Sequence, residues 1–325
     1  MNNVVNMKPE EQKNQDRAEG LRGQIRAEMS QYGLSQPEVS KQAGVDKQGA
    51  SKFNQWLKGV YKGSNENVEK QLSQWLEERH EQQLHMQEMP QAPGWVKTPT
   101  AAKIHHTLTY AQMSGVSSCV FGGAGVGKTL TCEHYQQNHN NVWIVTASPA
   151  ASTYPASLKR IAKAVGLRGG ANRAADLEDE IIQRLKGTRG LLIIDEAQLL
   201  GMDSLWGIKH LFDVAKIGVA YVGSEQTYAN LMGRKAEMNA PLFRRISKKQ
   251  ALKKPSKDDV GTLLTAWGLS DRASIEFCLK IAVKPGALGM VTETLRLAAF
   301  LAMADSSGLT LKYIKSAYQD LDYQG

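Results

Sequence analysis

The sequence has few cysteines and no long apolar run, and each shortage excludes a class of protein. The three cysteines among 325 residues (Cys119, Cys132 and Cys278) are odd in number and far apart, which argues against a disulfide framework or a zinc site and fits a reducing cytoplasm. No run of about 18 apolar residues occurs, and the first 20 residues are polar. We therefore expect no membrane span, no membrane partner and no secretory signal.

The net charge of +8 is concentrated in one segment. Residues 234–257 contain nine Lys or Arg and one acidic residue, whereas residues 1–84 contain 12 of each sign. Such a basic block is typical of a surface that faces a polyanion, or of a solvated tail. Four apolar residues interrupt the charges and favour a packed element over a tail: Leu242, Phe243, Ile246 and Leu252.

The chain is predicted to begin with a flexible leader (residues 1–20) and a helix-turn-helix domain (residues 21–84). Ser35 and Glu38 have the capping-box spacing of a helix start. After a tight turn at residues 43–45, Asp46 can cap a second helix. That helix carries Ala50, Phe53, Trp56 and Leu57, and the helix after it carries Val68, Leu72, Trp75 and Leu76.

This first domain is a candidate DNA-binding domain. Between residues 41 and 62, five lysines stand against a single acidic residue, Asp46. Because arginine, the commonest reader of guanine, is absent from the second helix, we expect phosphate-dominated binding with little sequence selection. A protein-interaction domain with a solvated lysine face is the alternative. Four residues are expected early on the second helix, where this motif enters the major groove: Lys47, Gln48, Ser51 and Lys52.

A linker of residues 85–99, with three prolines, precedes a larger α/β domain. Short apolar runs that alternate with helical patterns predict a parallel sheet covered on both faces, in a domain of residues 100–254. Residues 255–325 show helical periodicity alone and are predicted to form a helical subdomain. The four predicted strands are Val116–Phe121, Val142–Val145, Leu191–Ile194 and Ile217–Val222.

A phosphate-binding loop follows the first predicted strand. Residues 122–129 match Gly-x-x-x-x-Gly-Lys-Ser/Thr, in which glycines let backbone N–H groups approach phosphate, the lysine neutralises phosphate charge and the hydroxyl ligates Mg²⁺. A strand before the motif and a helix after it favour this interpretation over an incidental glycine turn. The predicted ATP-binding residues of the loop are Gly122, Gly123, Ala124, Gly125, Val126, Gly127, Lys128, Thr129 and Leu130.

Two carboxylates end the third predicted strand, at the edge where open α/β sheets bind ligands. Asp195 is expected to hold Mg²⁺ together with Thr129, and Glu196 to polarise the attacking water. Ser224, after the fourth strand, is a candidate to contact the γ-phosphate or the water, although a plain turn serine is the alternative. Arg245 is a candidate arginine finger for a neighbouring subunit, with contact to a polyanion as the alternative.

The sequence resembles the Mu B-like AAA+ ATPases that activate target DNA for transposition, from about residue 18 to about residue 322. The resemblance lies in the phosphate loop, Asn141-Val142-Trp143, residues 190–197, Lys284-Pro285-Gly286-Ala287-Leu288 and residues 295–299. It implies an AAA+ core with a C-terminal helical subdomain, in a bacterial or phage-infected cytoplasm. It also implies binding to double-stranded DNA without sequence preference, ATP-dependent filaments, delivery of that DNA to a transposase, and hydrolysis that drives disassembly.

One residue departs from the family pattern, and the resemblance suggests further DNA contacts. The second-sensor arginine of the family is replaced by Gly289, so hydrolysis is expected to be slow unless Arg296 substitutes.

Basic residues in the loops after the second strand are expected to face the inner channel of a filament: Lys159, Arg160, Arg168 and Arg173.

Three other functions share these motifs. A replication initiator or helicase loader would use the same ATPase core with a helicase partner. A helix-turn-helix regulator with an ATP-sensing domain would protect a single operator. A nucleotide-binding scaffold without turnover is made more plausible by Gly289.

Overall fold

The computed structural model describes residues 9–88, 92–167, 173–232 and 246–321, and the chain divides into two units, residues 1–89 and 90–325. The division falls within the expected linker. Within residues 9–88, the N-terminal unit contains helices α1 (Pro9–Tyr32), α2 (Gln36–Gln42), α3 (Ser51–Leu57) and α4 (Asn65–Glu88).

The helices of the N-terminal unit surround a core that includes Ile25, Phe53, Trp56 and Leu72. The predicted leader is helical from Pro9 onwards, because proline suits a first helical turn and the following Glu, Gln, Lys, Arg and Ala residues favour helix. The predicted capping box is present, since the carboxylate of Glu38 accepts the backbone N–H of Ser35 at 2.7 Å.

The second helix of the predicted helix-turn-helix begins later than expected. Gly49 has a left-handed φ of 77°, and the Asp46 carboxylate accepts the backbone N–H of Phe53 at 3.1 Å, so α3 starts at Ser51. Lys47 and Gln48 therefore precede α3, and their expected position on this helix is wrong.

The C-terminal unit is built on a five-stranded parallel sheet in the order β2-β3-β4-β1-β5. The predicted parallel sheet is confirmed, and a fifth strand within the basic block was not predicted. The strands are β1 (Ser117–Gly122), β2 (Val142–Thr146), β3 (Leu191–Asp195), β4 (Gly218–Gly223) and β5 (Ile246–Leu252).

Helices cover both faces of this sheet. One core contains Trp143, Ile194 and Tyr221, and the opposite core contains Val120, Ile193 and Val222, so alternate strand residues face opposite layers. The helices are α5 (Pro99–Ser114), α6 (Lys128–Asn138), α7 (Tyr154–Ala164), α8 (Ala174–Leu185), α9 (Met202–Ala215) and α10 (Glu225–Met232), with short 3₁₀ turns at Pro149–Ala151 and Ala197–Leu199.

A helical subdomain follows β5, as its periodicity predicted. Its own core includes Val260, Cys278, Leu295 and Ile314. Its helices are α11 (Lys257–Ala266), α12 (Arg272–Ala282), α13 (Ala287–Ala304) and α14 (Leu311–Asp320). By length and composition alone α13 is apolar enough to cross a membrane, but its buried face lies in this core, as expected for a core helix.

The carboxylate of Asp259 joins this subdomain to the sheet domain. It accepts the backbone N–H of Thr100 at 2.8 Å and that of Ser256 at 2.8 Å, so one side chain caps the starts of both α5 and α11. Burial by itself would raise the pKa of Asp259, but these bonds from Ser256 and Thr100 lower it below its ordinary value.

Candidate functional site

The predicted phosphate loop connects β1 to α6, and its backbone is held open by glycine. Gly125 and Gly127 have left-handed φ values of 74° and 87°, a region that other residues rarely adopt. Gly127 is the N-cap of α6, so the loop ends at a helix N-terminus with free N–H groups. The backbone thus offers the donors and the partial positive charge that phosphate requires.

The side chain of Lys128 lies inside this loop. Its Nζ donates to the carbonyl oxygens of Gly122 at 3.0 Å and Gly123 at 2.7 Å, and the residue is only 9% exposed. Burial lowers the pKa of Lys128, whereas Glu196 and Asp195 act to raise it. A buried ammonium held by two carbonyls is ready to bind an anion that enters the loop.

The structure brings the predicted magnesium residues together. The hydroxyl of Thr129 donates to Oδ2 of Asp195 at 2.7 Å, although the two residues are 66 positions apart in sequence. Asp195 is 2% exposed and ends β3, and a hydroxyl paired with a carboxylate is a donor set that suits Mg²⁺. These residues fit the ion that the sequence motif implies.

Glu196 follows Asp195 in a left-handed conformation with φ of 54°, which is uncommon for a residue other than glycine. Its backbone N–H donates to Oδ1 of Asp195 at 2.9 Å. Its carboxylate lines the same cavity as Lys128 and Thr129 and accepts a hydrogen bond from the side-chain amide of Gln198. The predicted base therefore lies beside the phosphate loop.

Ser224 lies immediately after β4, and its backbone N–H donates to Oε1 of Gln198 at 3.1 Å. Gln198 is thus a site residue that the sequence analysis did not single out. The sequence feature that could have indicated Gln198 is its position directly after Asp195-Glu196-Ala197. Arg245 and Arg168 lie outside the described residues.

A cavity of about 520 Å³ extends from the phosphate loop to the helical subdomain, which suits a nucleotide-sized ligand. Apolar side chains also line the cavity, including Val96, Leu263 and Leu288. Trp95 also lines it, stacking on His134 of α6 with ring centroids 3.8 Å apart. The second half of the predicted linker is therefore part of the wall of the cavity.

The N-terminus of α13 contacts the phosphate loop directly. The backbone N–H of Gly289 donates to the carbonyl oxygen of Gly125 at 3.1 Å. Gly289 and Arg296 both line the cavity, and the Arg296 guanidinium bonds Glu293 at 2.9 Å. The structure thus puts Arg296 on the same cavity wall as Gly289, two helical turns along α13.

The candidate DNA-binding residues are divided between the two units. Lys47, Gln48 and Ser51 of the N-terminal unit are exposed, whereas Lys52 is half-buried and its Nζ bonds the carbonyl oxygen of Val45 at 3.1 Å. In the C-terminal unit the exposed residues follow β2: Lys159, Arg160 and Arg173. The Arg160 guanidinium bonds the carbonyl oxygen of Thr146 at 2.6 Å, which ties α7 to the end of β2.

Two family models match the C-terminal unit. The AAA domain matches residues 113–231, and "Mu B transposition protein, C terminal" matches residues 244–321. The Aeropyrum pernix ORC2 protein, solved as ADPNP–ADP complexes, has a TM-score of 0.53 over 68% of this chain and 66% of that chain. At 15% identity this likeness shows the fold alone, and it agrees with the predicted AAA+ fold, which is confirmed.

Curated relatives cover most of the chain. The "ATP-dependent target DNA activator B" of Escherichia phage Mu is 33% identical over 271 residues, which are 83% of this chain and 86% of the relative. The "Mu-like prophage FluMu DNA transposition protein B" of Haemophilus influenzae is 31% identical over 277 residues, 84% of this chain and 94% of that protein. The chain therefore belongs to the Mu B transposition protein family, as its resemblance predicted, and contains an AAA domain.

Proposed function

We propose that this protein is an ATPase that binds double-stranded DNA with little sequence preference, assembles on it while ATP is bound and delivers it to a transposase. The observation that carries the proposal is the hydrogen bond from Thr129, at the end of the phosphate loop, to Asp195 at the end of β3. The chain is also one-third identical to a target DNA activator whose name states ATP dependence. Hydrolysis would then release the assembly from DNA.

Each residue of the site has a separate role in hydrolysis. Lys128 and the loop N–H groups bind and orient the triphosphate, and Thr129 and Asp195 would hold Mg²⁺, which would supply charge neutralisation for the phosphates. Glu196 orients the attacking water and accepts its proton, and Ser224 is the candidate contact to the γ-phosphate. The apolar walls around Val96 and Leu288 suit the face of a purine base.

DNA contact is assigned to basic and polar residues on both units. Lys159 and Arg160 lie on α7 and Arg173 directly precedes α8, whereas Lys47, Gln48, Ser51 and Lys52 lie at and before the start of α3. Arg168 belongs to the same proposal on sequence grounds. Contacts of this kind neutralise phosphates and do not depend on base sequence.

Assembly is proposed to depend on nucleotide shared between subunits. Arg245 of one subunit would reach the γ-phosphate held by its neighbour, so that ATP stabilises the contact and hydrolysis weakens it. The names of the relatives, which refer to target DNA activation and DNA transposition, support DNA and a transposase as partners. A bacterial or phage-infected cytoplasm is the compartment that this function requires.

The proposal is tested by replacing Lys128 with alanine in the full chain. With ATP, Mg²⁺ and duplex DNA, we expect the wild-type protein to form oligomers or filaments visible by electron microscopy, and K128A to remain unassembled with turnover reduced at least about 100-fold. The control is K103A, which removes an exposed lysine from α5. Assembly of K128A on DNA to the wild-type extent would contradict the proposal, as would a wild-type chain that stays monomeric.

A further inference from the structure

The side chain of Gln198 contacts two parts of the hydrolysis site at once. Its Nε2 donates to Oε2 of Glu196, and its Oε1 accepts the backbone N–H of Ser224 at 3.1 Å. The same oxygen accepts the hydroxyl of Thr227, on the first turn of α10, at 2.9 Å. One amide therefore joins the candidate base after β3 to the candidate γ-phosphate contact after β4.

The backbone of Gln198 is fixed as well. Its carbonyl oxygen accepts the side-chain amide of Asn230 at 3.0 Å, and it lies in the 3₁₀ turn Ala197–Leu199. The side chain occupies space that Gly223 leaves open, since a Cβ on Gly223 would overlap Oε1 of Gln198 and the hydroxyl of Thr227. The amide thus fills a defined position between two strands.

We propose that Gln198 is a positioning residue for ATP hydrolysis, which sets the separation between the Glu196 carboxylate and Ser224. The inference rests on the proposed function, because it assigns a role within the hydrolysis step. Gln198 orients Glu196 by donating to one of its two oxygens, which leaves the other oxygen for the water. Gln198 is the side-chain donor to Glu196 within the described part of the chain, and a carboxylate on a left-handed turn depends on such a donor for its direction.

The test is Gln198→Met, which keeps an unbranched side chain of similar size and removes both hydrogen-bonding atoms. We expect kcat to fall about 10- to 100-fold while KM for ATP changes less than about twofold, because the change affects the base and leaves the phosphate loop intact. The matched control is Gln319→Met on the exposed face of α14, which should leave both constants unchanged. Steady-state hydrolysis with saturating duplex DNA measures both.

A second variant displaces Gln198 without altering it. Gly223→Ala puts a methyl group where Oε1 of Gln198 lies, so it should lower kcat by a similar factor. The double variant should be no slower than the slower single variant, since both remove the same hydrogen bonds. Additive losses would overturn the inference.

Each remaining outcome tests either the positioning role of Gln198 or the proposed function. Wild-type kcat in Gln198→Met, or a rise in KM equal to the fall in kcat, overturns the positioning role and leaves the proposed function standing. A wild-type chain that binds ATP and DNA but never turns over overturns the hydrolysis part of the proposed function together with this inference. If Gln198→Met fails to fold, the kcat of Gly223→Ala alone settles the role.

Discussion

Asp259 is a single buried residue on which two helices depend. It accepts the backbone N–H groups of Thr100 and Ser256, which are 156 positions apart in the chain, each at a nitrogen-to-oxygen distance of 2.8 Å. Hydrogen bonds to a buried charged group are among the stronger ones, and their donors are left unsatisfied when the carboxylate is lost. Asp259 therefore couples the helical subdomain to the first helix of the sheet domain.

Asp259→Asn is expected to lower the free energy of unfolding of the C-terminal unit by about 2–3 kcal/mol, measured by urea unfolding at pH 7. The control is Asp258→Asn, an exposed neighbour on the first turn of the same helix. Because the folded-state pKa of Asp259 is lowered, its contribution is fully present above its ordinary pKa near 4 and declines as the pH falls further through the folded-state pKa. A difference between wild type and variant that does not shrink as the pH falls below 4 would contradict this assignment.

At the residue scale, the sequence predicted the phosphate loop and its carboxylates because their chemistry requires fixed residue types at fixed spacing. It did not indicate Gln198 or Trp95, because neither residue is part of a recognised motif. Their positions at the site depend on the residues that the fold places beside them, such as Ser224 and His134. Lys47 and Gln48 were misplaced because Asp46 accepts N–H groups of the first turn of α3 from several residues upstream, and the left-handed Gly49 lies between Asp46 and that turn.

At the scale of elements, β5 was the strand that sequence patterns missed. Its residues Ile-Ser-Lys-Lys-Gln-Ala-Leu bury Ile246 and Leu252 and expose lysine, which is unlike the continuous apolar run of a central parallel strand. An edge strand has one neighbour, here β1, and lysine on such an edge discourages pairing with other chains. The other four strands were recognised because each is a mostly buried apolar run, including β2 at the opposite edge of the sheet.

The contact between the phosphate loop and α13 leaves no room for a side chain at Gly125. Gly125 has φ of 74°, and a Cβ there would overlap the carbonyl oxygen of Gly286, just before α13. Gly125→Ala should therefore break the bond from Gly289 and weaken nucleotide binding about tenfold or more. Titration with a fluorescent ATP analogue measures the Kd.

The comparison for Gly125→Ala is Gly261→Ala, in the middle of α11, where an added Cβ meets nothing within 4 Å. This substitution should leave nucleotide affinity unchanged and raise stability by about 0.5–1 kcal/mol through its helix propensity. Equal nucleotide affinities for the two variants would show that the loop does not depend on its contact with α13.

At the scale of the whole molecule, positive charge is concentrated in one segment, which is the pattern that the proposed binding to DNA would use. The chain carries a net charge of +8, and the segment of residues 246–257 contains five lysines and no acidic residue. Phosphate neutralisation releases counterions, so affinity should fall steeply as salt rises. The folded chain thus combines an ATP site with cations on both of its units.

With ATP present, the affinity for unrelated duplexes of equal length should agree within about threefold, and the slope of log K against log salt concentration should be several units negative. Replacing Lys159, Arg160 and Arg173 together with alanine should reduce that slope by up to about three units, since each lost phosphate contact removes about one. Lys312→Ala, an exposed lysine on α14, is the control. Fluorescence anisotropy across a salt series measures this, and a slope near zero would refute phosphate-dominated binding.

The tryptophan stacked on His134 has an optical consequence. Trp95 and Trp267 both line the cavity beside the phosphate loop, whereas Trp56 and Trp75 lie in the core of the N-terminal unit. A base that enters the cavity replaces solvent around two indole rings, and the emission of those rings responds to polarity and to stacking. The chain therefore carries its own fluorophores for following nucleotide occupancy without a label.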